Sequence, residues 1–250
     1  MTALSVPELA GDAELILGDC KGWIGQADCI ITDPPYGETS LAWDTLCHRW
    51  PRLALQWLRP GGSMWVFGSL RSFMASAAAF DVWTQAQDVL WEKHNGSNAF
   101  KDRFRRVHEH AVQFYVGKWG DVYKQPLFTH DAVARSVKRT GRAAKTWGEI
   151  GPAEFKSDNG GPRLMRSVMF ARSCHGSAVH PTQKPLDVLK PLIEYSCPPG
   201  GTVLDPFMGS GSTGVAALQL GRRFIGIELD PEYVALARER LTNETLGTQQ

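Results

Sequence analysis

The sequence predicts an α/β protein built on a doubly wound, mostly parallel sheet. Two observations predict it. Near the N-terminus an apolar run, Asp28-Cys29-Ile30-Ile31, leads straight into Thr32-Asp33-Pro34-Pro35-Tyr36-Gly37. An apolar run bounded by polar residues reads as a buried strand, so an acidic, proline-stiffened loop sits at its tip. Near the C-terminus a strand, a glycine-rich turn, a helix and a second strand ending in an acid follow one another, which is a βαβ unit. Open sheets of this kind bind ligands outside the C-terminal ends of their strands, so both tips are candidate sites.

Pro34 and Pro35 have no N–H and a fixed φ, and they hold Asp33 extended so that it cannot start a helix. The loop therefore offers a carboxylate, a backbone carbonyl and the flat ring of Tyr36. Those groups suit a planar ring bearing an exocyclic amino group: two acceptors for its two N–H bonds, and a face to stack on.

In the βαβ unit, Thr202-Val203-Leu204-Asp205 is the first strand and Pro206-Phe207-Met208-Gly209-Ser210-Gly211-Ser212-Thr213-Gly214 the turn. Val215–Leu220 reads as a helix stopped by Gly221, and Arg223–Glu228 as the second strand. A further helix starts at Pro231 and runs to about Leu241, followed by a polar, frayed tail. Glycines let a ligand approach the backbone, and an acid at the second tip can bind two ribose hydroxyls. Asp205 stands before the glycines and no Gly-Lys-Ser/Thr follows, so charge repulsion disfavours a phosphate there. A ligand carrying an ammonium group fits better.

Between the motifs, His180-Pro181-Thr182-Gln183-Lys184-Pro185 leads into a helix over Leu186–Tyr195. A lysine at a helix start faces the wrong end of the dipole, which predicts that Lys184 has an anion to meet. Further apolar helices are expected at Trp50–Leu58 and Ser72–Phe80, and a strand at Ala111–Val116. From about Gly117 to Cys174 periodicity fades and Gly, Ser and basic residues increase, which predicts an irregular insertion. The 250 residues, 43% hydrophobic, suffice for one α/β core plus that insertion. Net charge is only +1, but Arg103, Arg105, Arg106, Arg135, Lys138, Arg139, Arg142 and Lys145 crowd one segment, the footprint of phosphate contacts. The five cysteines are scattered without a Cys-x-x-Cys pair, and with His108 and His110 expected to pack or touch DNA, no metal site is indicated. No signal peptide or membrane-length apolar run is seen, which predicts a cytoplasmic protein with no membrane partner.

Taken together, Asp33-Pro34-Pro35-Tyr36, the closing segment through Asp205, Phe207, Gly209, Gly211 and Glu228, and their order resemble the beta class of prokaryotic DNA amino-methyltransferases. Leu17-Gly18-Asp19-Cys20, Arg59-Pro60-Gly61-Gly62 with Ser63–Phe67, Val89–Lys93 and Arg103–His110 resemble further segments of that class. The resemblance covers nearly the whole chain. It implies a Rossmann-like methyltransferase sheet, mostly parallel with one antiparallel strand, in circularly permuted motif order and interrupted by a target-recognition insertion. The implied divisions are a catalytic half over 1–116, the insertion over 117–175 and a cofactor-binding half over 176–250.

The resemblance also implies S-adenosylmethionine as cofactor and double-stranded DNA with a flipped base as substrate. Asp33, Pro34, Pro35 and Tyr36 would be catalytic. Asp19, Cys20, Lys184, Asp205, Phe207, Gly209, Gly211, Thr213 and Glu228 would bind the cofactor: Asp205 its ammonium, Glu228 its ribose, Asp19 its adenine and Lys184 its carboxylate. Arg103, Arg105, Arg106, Lys138, Arg139, Arg142 and Arg166 would meet DNA. The favoured target is adenine N6, because family members acting on cytosine N4 more often carry Ser in place of Asp33. RNA or glutamine methylation and a catalytically inactive DNA-binding regulator are the alternatives. A homodimer and a companion restriction enzyme, in a prokaryotic or phage-encoded setting, follow from family habit.

Overall fold

The computed structural model describes residues 4–5, 12–39, 41, 43–97, 101–139, 142–144, 148–150, 152–174 and 183–247. Of the segments singled out above, Thr140, Gly141, Lys145, His175 and 180–182 lie outside the described residues, as do the side chains of Arg139 and Arg142. The chain divides into two compact units, one of 1–125 with 167–250 and one of 126–166.

The larger unit begins with strands β1 (Leu4–Ser5), β2 (Ala13–Leu17) and β3 (Ala27–Thr32). Helix α1 (Trp50–Trp57), β4 (Leu58–Gly68), α2 (Leu70–Ala75), β5 (Thr84–Ser97) and β6 (Arg106–Tyr115) follow. The smaller unit holds β7 (Phe128–Thr129), β8 (Arg135–Arg139), β9 (Arg142–Ala144), β10 (Gly148–Ile150), β11 (Ala153–Ser157) and β12 (Arg163–Leu164). The chain then returns with β13 (Val168–Phe170), α3 (Leu186–Ser196), β14 (Thr202–Asp205), α4 (Ser212–Gln219), β15 (Arg223–Glu228) and α5 (Pro231–Gly247).

Among the described residues the larger unit carries a nine-stranded sheet, β1-β2-β15-β14-β3-β4-β6-β5-β13. β2, β15, β14, β3 and β4 run parallel, and β6 is antiparallel to both β4 and β5. It is the antiparallel strand marked in the sequence at 111–116, and the two-residue β1 adds one more antiparallel pairing at the edge. Consecutive residues of the central strands point to opposite cores. Ile31, Trp65 and Val203 pack with Val188, Leu192, Ala216 and Ala237 of α3, α4 and α5 on one face. Ile30, Met64, Val66 and Leu204 pack with Trp50, Ala54 and Trp57 of α1 on the other. Burial on both faces is why these strands read as continuous apolar runs rather than alternating ones.

β3 and β14 are neighbours although the chain winds outward from them in opposite directions, so the sheet's order reverses between them. The tips of β3, β4, β14 and β15 lie along one edge. Gly68 of β4 pairs with His110 of β6, so antiparallel β6 brings its N-terminal residues to that same edge.

Three local readings differ from the structure. The turn expected at Arg59–Gly62 is the irregular opening of β4, where Gly61 takes φ 82°. The helix expected at Ser72–Phe80 starts two residues earlier, at a Ser69/Ser72 capping box, and tightens into a 3-10 turn over Ala77–Phe80. The irregular stretch contains nested antiparallel ribbons, β7 with β12, β8 with β11 and β9 with β10. β11 is mostly exposed on both faces, so no apolar alternation betrays it in the sequence.

Candidate active site at the sheet's switch point

Asp33 leaves β3 where the sheet order reverses, and the loop behind it is shaped by one residue. Asp44 Oδ1 accepts from the Tyr36 and Gly37 N–H groups at 2.8 Å each. Its Oδ2 accepts from Glu38 at 3.0 Å and Thr39 at 2.7 Å. Pro34 and Pro35 donate nothing, so Asp44 gathers the next four donors of the loop. Although burial opposes it, these hydrogen bonds hold the Asp44 carboxyl below the usual carboxylate range. Glu38 is tied by the Ser69 hydroxyl and by Arg106 of β6 at 2.8 Å. Arg106, expected to meet DNA, thus anchors the catalytic loop.

The Asp33 carboxylate is divided. Lys184 Nζ donates to its Oδ2, while Oδ1 is buried without a hydrogen-bond partner among the described residues. Glu109 of β6 lies 3.4 Å from Lys184 Nζ and accepts from Lys93 Nζ of β5. Phe67 presents its ring to the Lys184 ammonium at 5.3 Å, and Trp91 presents its own to Lys93 at 4.7 Å. Two carboxylates and two ammonium groups therefore neutralise one another under the loop. Burial raises the Asp33 carboxyl above its ordinary range, with the Lys184 charge opposing. Burial acts the same way on Glu109, but Lys184 and Lys93 outweigh it and bring that carboxyl down to about 2. Burial disfavours the Lys184 charge, yet Asp33 and Glu109 more than restore it. The lysine expected to face a cofactor carboxylate is engaged by these two acids, which explains a cation just before the N-terminus of α3.

Asp205, 3% exposed, is the second acid at the switch point. Its Oδ1 accepts from Thr32 Oγ1 at 2.8 Å and Phe207 N at 3.1 Å, and its Oδ2 accepts from Thr213 Oγ1 at 2.8 Å. Burial pushes its carboxyl up to about 7. Glu228 shapes the neighbouring turn, accepting from Gly209 N at 3.0 Å, Leu229 N at 2.8 Å and Asp230 N at 3.0 Å. Arg240 of α5 braces the glycine-rich turn from behind through Ser210 O at 2.6 Å.

These groups border a cavity of about 180 Å³. Of the residues picked from the sequence, Asp33, Pro35, Lys184, Asp205, Phe207, Gly209, Thr213 and Glu228 line it. Pro34 and Tyr36 line a separate small cavity with Phe67, Phe73 and Phe80. Three expected cofactor residues do other work. The Asp19 carboxylate caps the 3-10 turn Cys20–Gly22 through Lys21 N at 3.0 Å and pairs with Lys21 Nζ. The Cys20 thiol is buried in the core, and burial pushes it up to about 12. Gly211 takes φ 76°, and a Cβ there would stand 3.0 Å from Ala237 Cβ, so it serves the turn and the approach of α5. Sequence reasoning missed Trp43, Met208, Leu229, Asp230 and Tyr233, all lining the cavity. Asp230 and Tyr233 could have been found from their place just past the β15 tip.

Asp33, Asp205, Glu228 and Asp230 line this cavity together with one lysine, Lys184, an acidic excess that favours a cationic ligand. Arg103, Arg105, Lys138 and Arg166 are exposed, the first two in the larger unit and the others in the smaller. Among the described residues no cluster of His, Cys, Asp and Glu could hold a metal ion, and no helix is long and apolar enough to cross a membrane.

A mostly parallel sheet with a cavity at its switch point defines the doubly wound α/β class, whose members bind ligands at that place. Residues 27–239 match the family described as DNA methylase, the N6/N4 methyltransferases, and the chain belongs to that family. It is 29% identical over 243 residues to the Type II methyltransferase M2.DpnII of Streptococcus pneumoniae, covering 87% of this chain and 83% of the relative. Among solved structures, the M1.HpyAVI–SAM complex superposes with a TM-score of 0.62 at 25% identity, covering 92% of this chain and 98% of that one. The cytosine-N4-specific PvuII DNA methyltransferase superposes with a TM-score of 0.61 at 16% identity, covering 94% and 91%, a likeness of fold.

Proposed function

We propose that this DNA methyltransferase moves the methyl group of S-adenosylmethionine to the N6 amino group of an adenine flipped out of double-stranded DNA. The observation that carries the reading is the half-satisfied Asp33 carboxylate opening onto an acidic cavity at the switch point. The residues present fit the cofactor: Asp205, Glu228 and Asp230 suit an ammonium, a sulfonium and ribose hydroxyls better than they suit phosphate. When bound, the cofactor supplies an electrophilic methyl group.

The chain's own residues do the rest. Asp33 Oδ1 accepts one amino N–H and the Pro34 carbonyl the other, aiming the nitrogen lone pair at the methyl. Tyr36 stacks on the base, an interaction worth about 1–3 kcal/mol against a flipping cost of roughly a few kcal/mol. Lys184 holds Oδ2, so its charge favours the ionised carboxylate against burial and fixes one orientation. As positive charge grows on the amino nitrogen, these acceptors strengthen, which lowers the barrier rather than merely tightening binding. The proton leaves to Asp33 or water after transfer. Cys29, wholly buried in β3, takes no part. Residues 126–166 serve as the target-recognition unit, with Lys138, Arg139, Arg142 and Arg166 meeting phosphates. Asp33 rather than Ser at the head of the motif favours adenine over cytosine. The Type II relatives support a companion restriction enzyme, and we place the protein in a prokaryotic cytoplasm as a homodimer, which sedimentation tests.

The deciding experiment incubates purified protein with genomic DNA and methyl-labelled S-adenosylmethionine, then resolves the nucleosides. Label in N6-methyladenine is expected. Label in N4-methylcytosine would keep the mechanism and overturn the base, and label in RNA or protein alone would overturn the substrate.

A further inference from the structure

The end of the β5–β6 pair at which β5 stops and β6 begins lies at the catalytic edge of the sheet. Its stem is fixed there by Lys93 and Glu109, which reach the Lys184–Asp33 pair, and by Arg106, which holds Glu38 of the catalytic loop. Above that stem stands Phe104, fully exposed at 101%. Its sequence neighbours are Lys101, Asp102, Arg103, Arg105 and Arg106, with Arg103 paired to Asp102 and Arg106 to Glu38. Arg105 lies flat against the stem: a Cβ on Gly96 would come within 2.3 Å of Arg105 Cγ. The residue after Phe104 is thus pinned to β5 while the phenyl ring stays in solvent.

A lone exposed aromatic is ordinary on a protein surface. This one lies in a basic stretch of the chain, and the stem behind it is rooted in the partners of the catalytic carboxylate. Phe104 precedes the first residue of β6 by two positions, at the end of that strand which lies on the catalytic edge.

We propose that Phe104 is a wedge that enters the DNA base stack where the target base has left it. This inference rests on the reading of the protein as a methyltransferase of flipped bases in DNA. DNA-binding proteins insert apolar side chains between base steps, and an aromatic face stacks on any base whatever the sequence. The neighbouring cations meet phosphates and set the ring's depth without reading sequence. The ring occupies the vacated position and so opposes the return of the base to the helix.

The test uses the site mapped by sequencing methylated genomic DNA, placed in two synthetic duplexes, one with the target adenine paired and one with it mismatched. Phe104→Ala should lower kcat/KM on the paired duplex by roughly 10–100-fold, the loss of one aromatic stack. On the mismatched duplex it should stay within about threefold of wild type, because an unpaired base needs least help to leave. With 2-aminopurine at the target, wild type should brighten the paired duplex and Phe104→Ala should not, and Phe104→Trp should restore both readouts. Equal losses on both duplexes, or no loss on either, would overturn the wedge. A wild-type protein that methylates neither duplex would instead overturn the DNA reading, and the wedge with it.

Discussion

At the scale of single residues, the site sets two acids apart by their surroundings. In the proposed mechanism Asp33 accepts in its ionised form, and its carboxyl lies above the ordinary range, so activity should fall as pH drops through that raised pKa. The groups facing it are Lys184 ahead of α3, Glu109 on β6 and Lys93 on β5. Lys184→Met removes the charge that opposes burial, so the acid limb of kcat should move to higher pH, with kcat at pH 7 falling about 100-fold or more. Glu109→Gln removes a repelling neighbour, so the limb should move to lower pH. Opposite displacements in the two pH–rate profiles are the check, because damage to packing would not change sign. Asp205 gives a second prediction. Its folded pKa is raised to about 7, so its contribution to stability is complete below the ordinary aspartate range and is lost as pH rises through 7. Asp205→Asn should therefore raise the melting temperature of the ligand-free protein at pH 8, by about 2–4 °C per kcal/mol relieved, raise it less at pH 5, and hardly change it below the ordinary aspartate range. It should also weaken cofactor binding, which calorimetry at both pH values would follow. The residue types at both tips were legible because strand ends, prolines and glycines punctuate the sequence. Lys184's partners were not, because Asp33 and Glu109 approach from strands far away in sequence whose registry no local pattern encodes.

At the scale of elements, two devices place the chemistry. Asp44 holds four successive backbone donors of the catalytic loop, so Asp44→Ala should let the loop drift while the sheet stays folded. A displacement of about 1 Å can cost roughly 100-fold in rate, and kcat should fall by that order with near-unchanged circular dichroism. Gly211 is the other device. Its left-handed φ of 76° and the 3.0 Å approach to Ala237 leave no room for a side chain. Gly211→Val should lower the melting temperature and loosen cofactor binding together, since turn and helix packing share one residue, whereas Asp44→Ala should spare the cofactor. Strands and helices around the βαβ unit were readable to within a few residues, except that α5 runs on to Gly247 through the polar segment read as a frayed tail after Leu241. The hairpin network was not, because β11 and its like are exposed and carry no apolar alternation.

At the scale of the whole molecule, residues 126–166 leave and rejoin a unit that is continuous without them. Replacing Pro126–Arg166 by a short Gly-Ser linker should preserve cofactor binding, measured by calorimetry. It should abolish site-specific methylation and flatten the salt dependence of DNA affinity, as lost phosphate contacts require. The permuted order was readable because both motifs are compact, and sequence alone shows which comes first. Which strands become neighbours is a matter of three-dimensional closure. That closure joins Thr32 to Asp205 across 173 residues by a hydrogen bond of 2.8 Å. During synthesis, the inner edge of β3 therefore emerges long before β14 exists to cover it. At about 5–20 residues per second, the ribosome leaves that edge waiting on the order of 10–35 s. A nascent chain must keep a bare apolar strand from other chains for all that time. A chain that has not yet made β14 and β15 cannot close the cavity at the switch point, because Asp205 and Glu228 come from those strands.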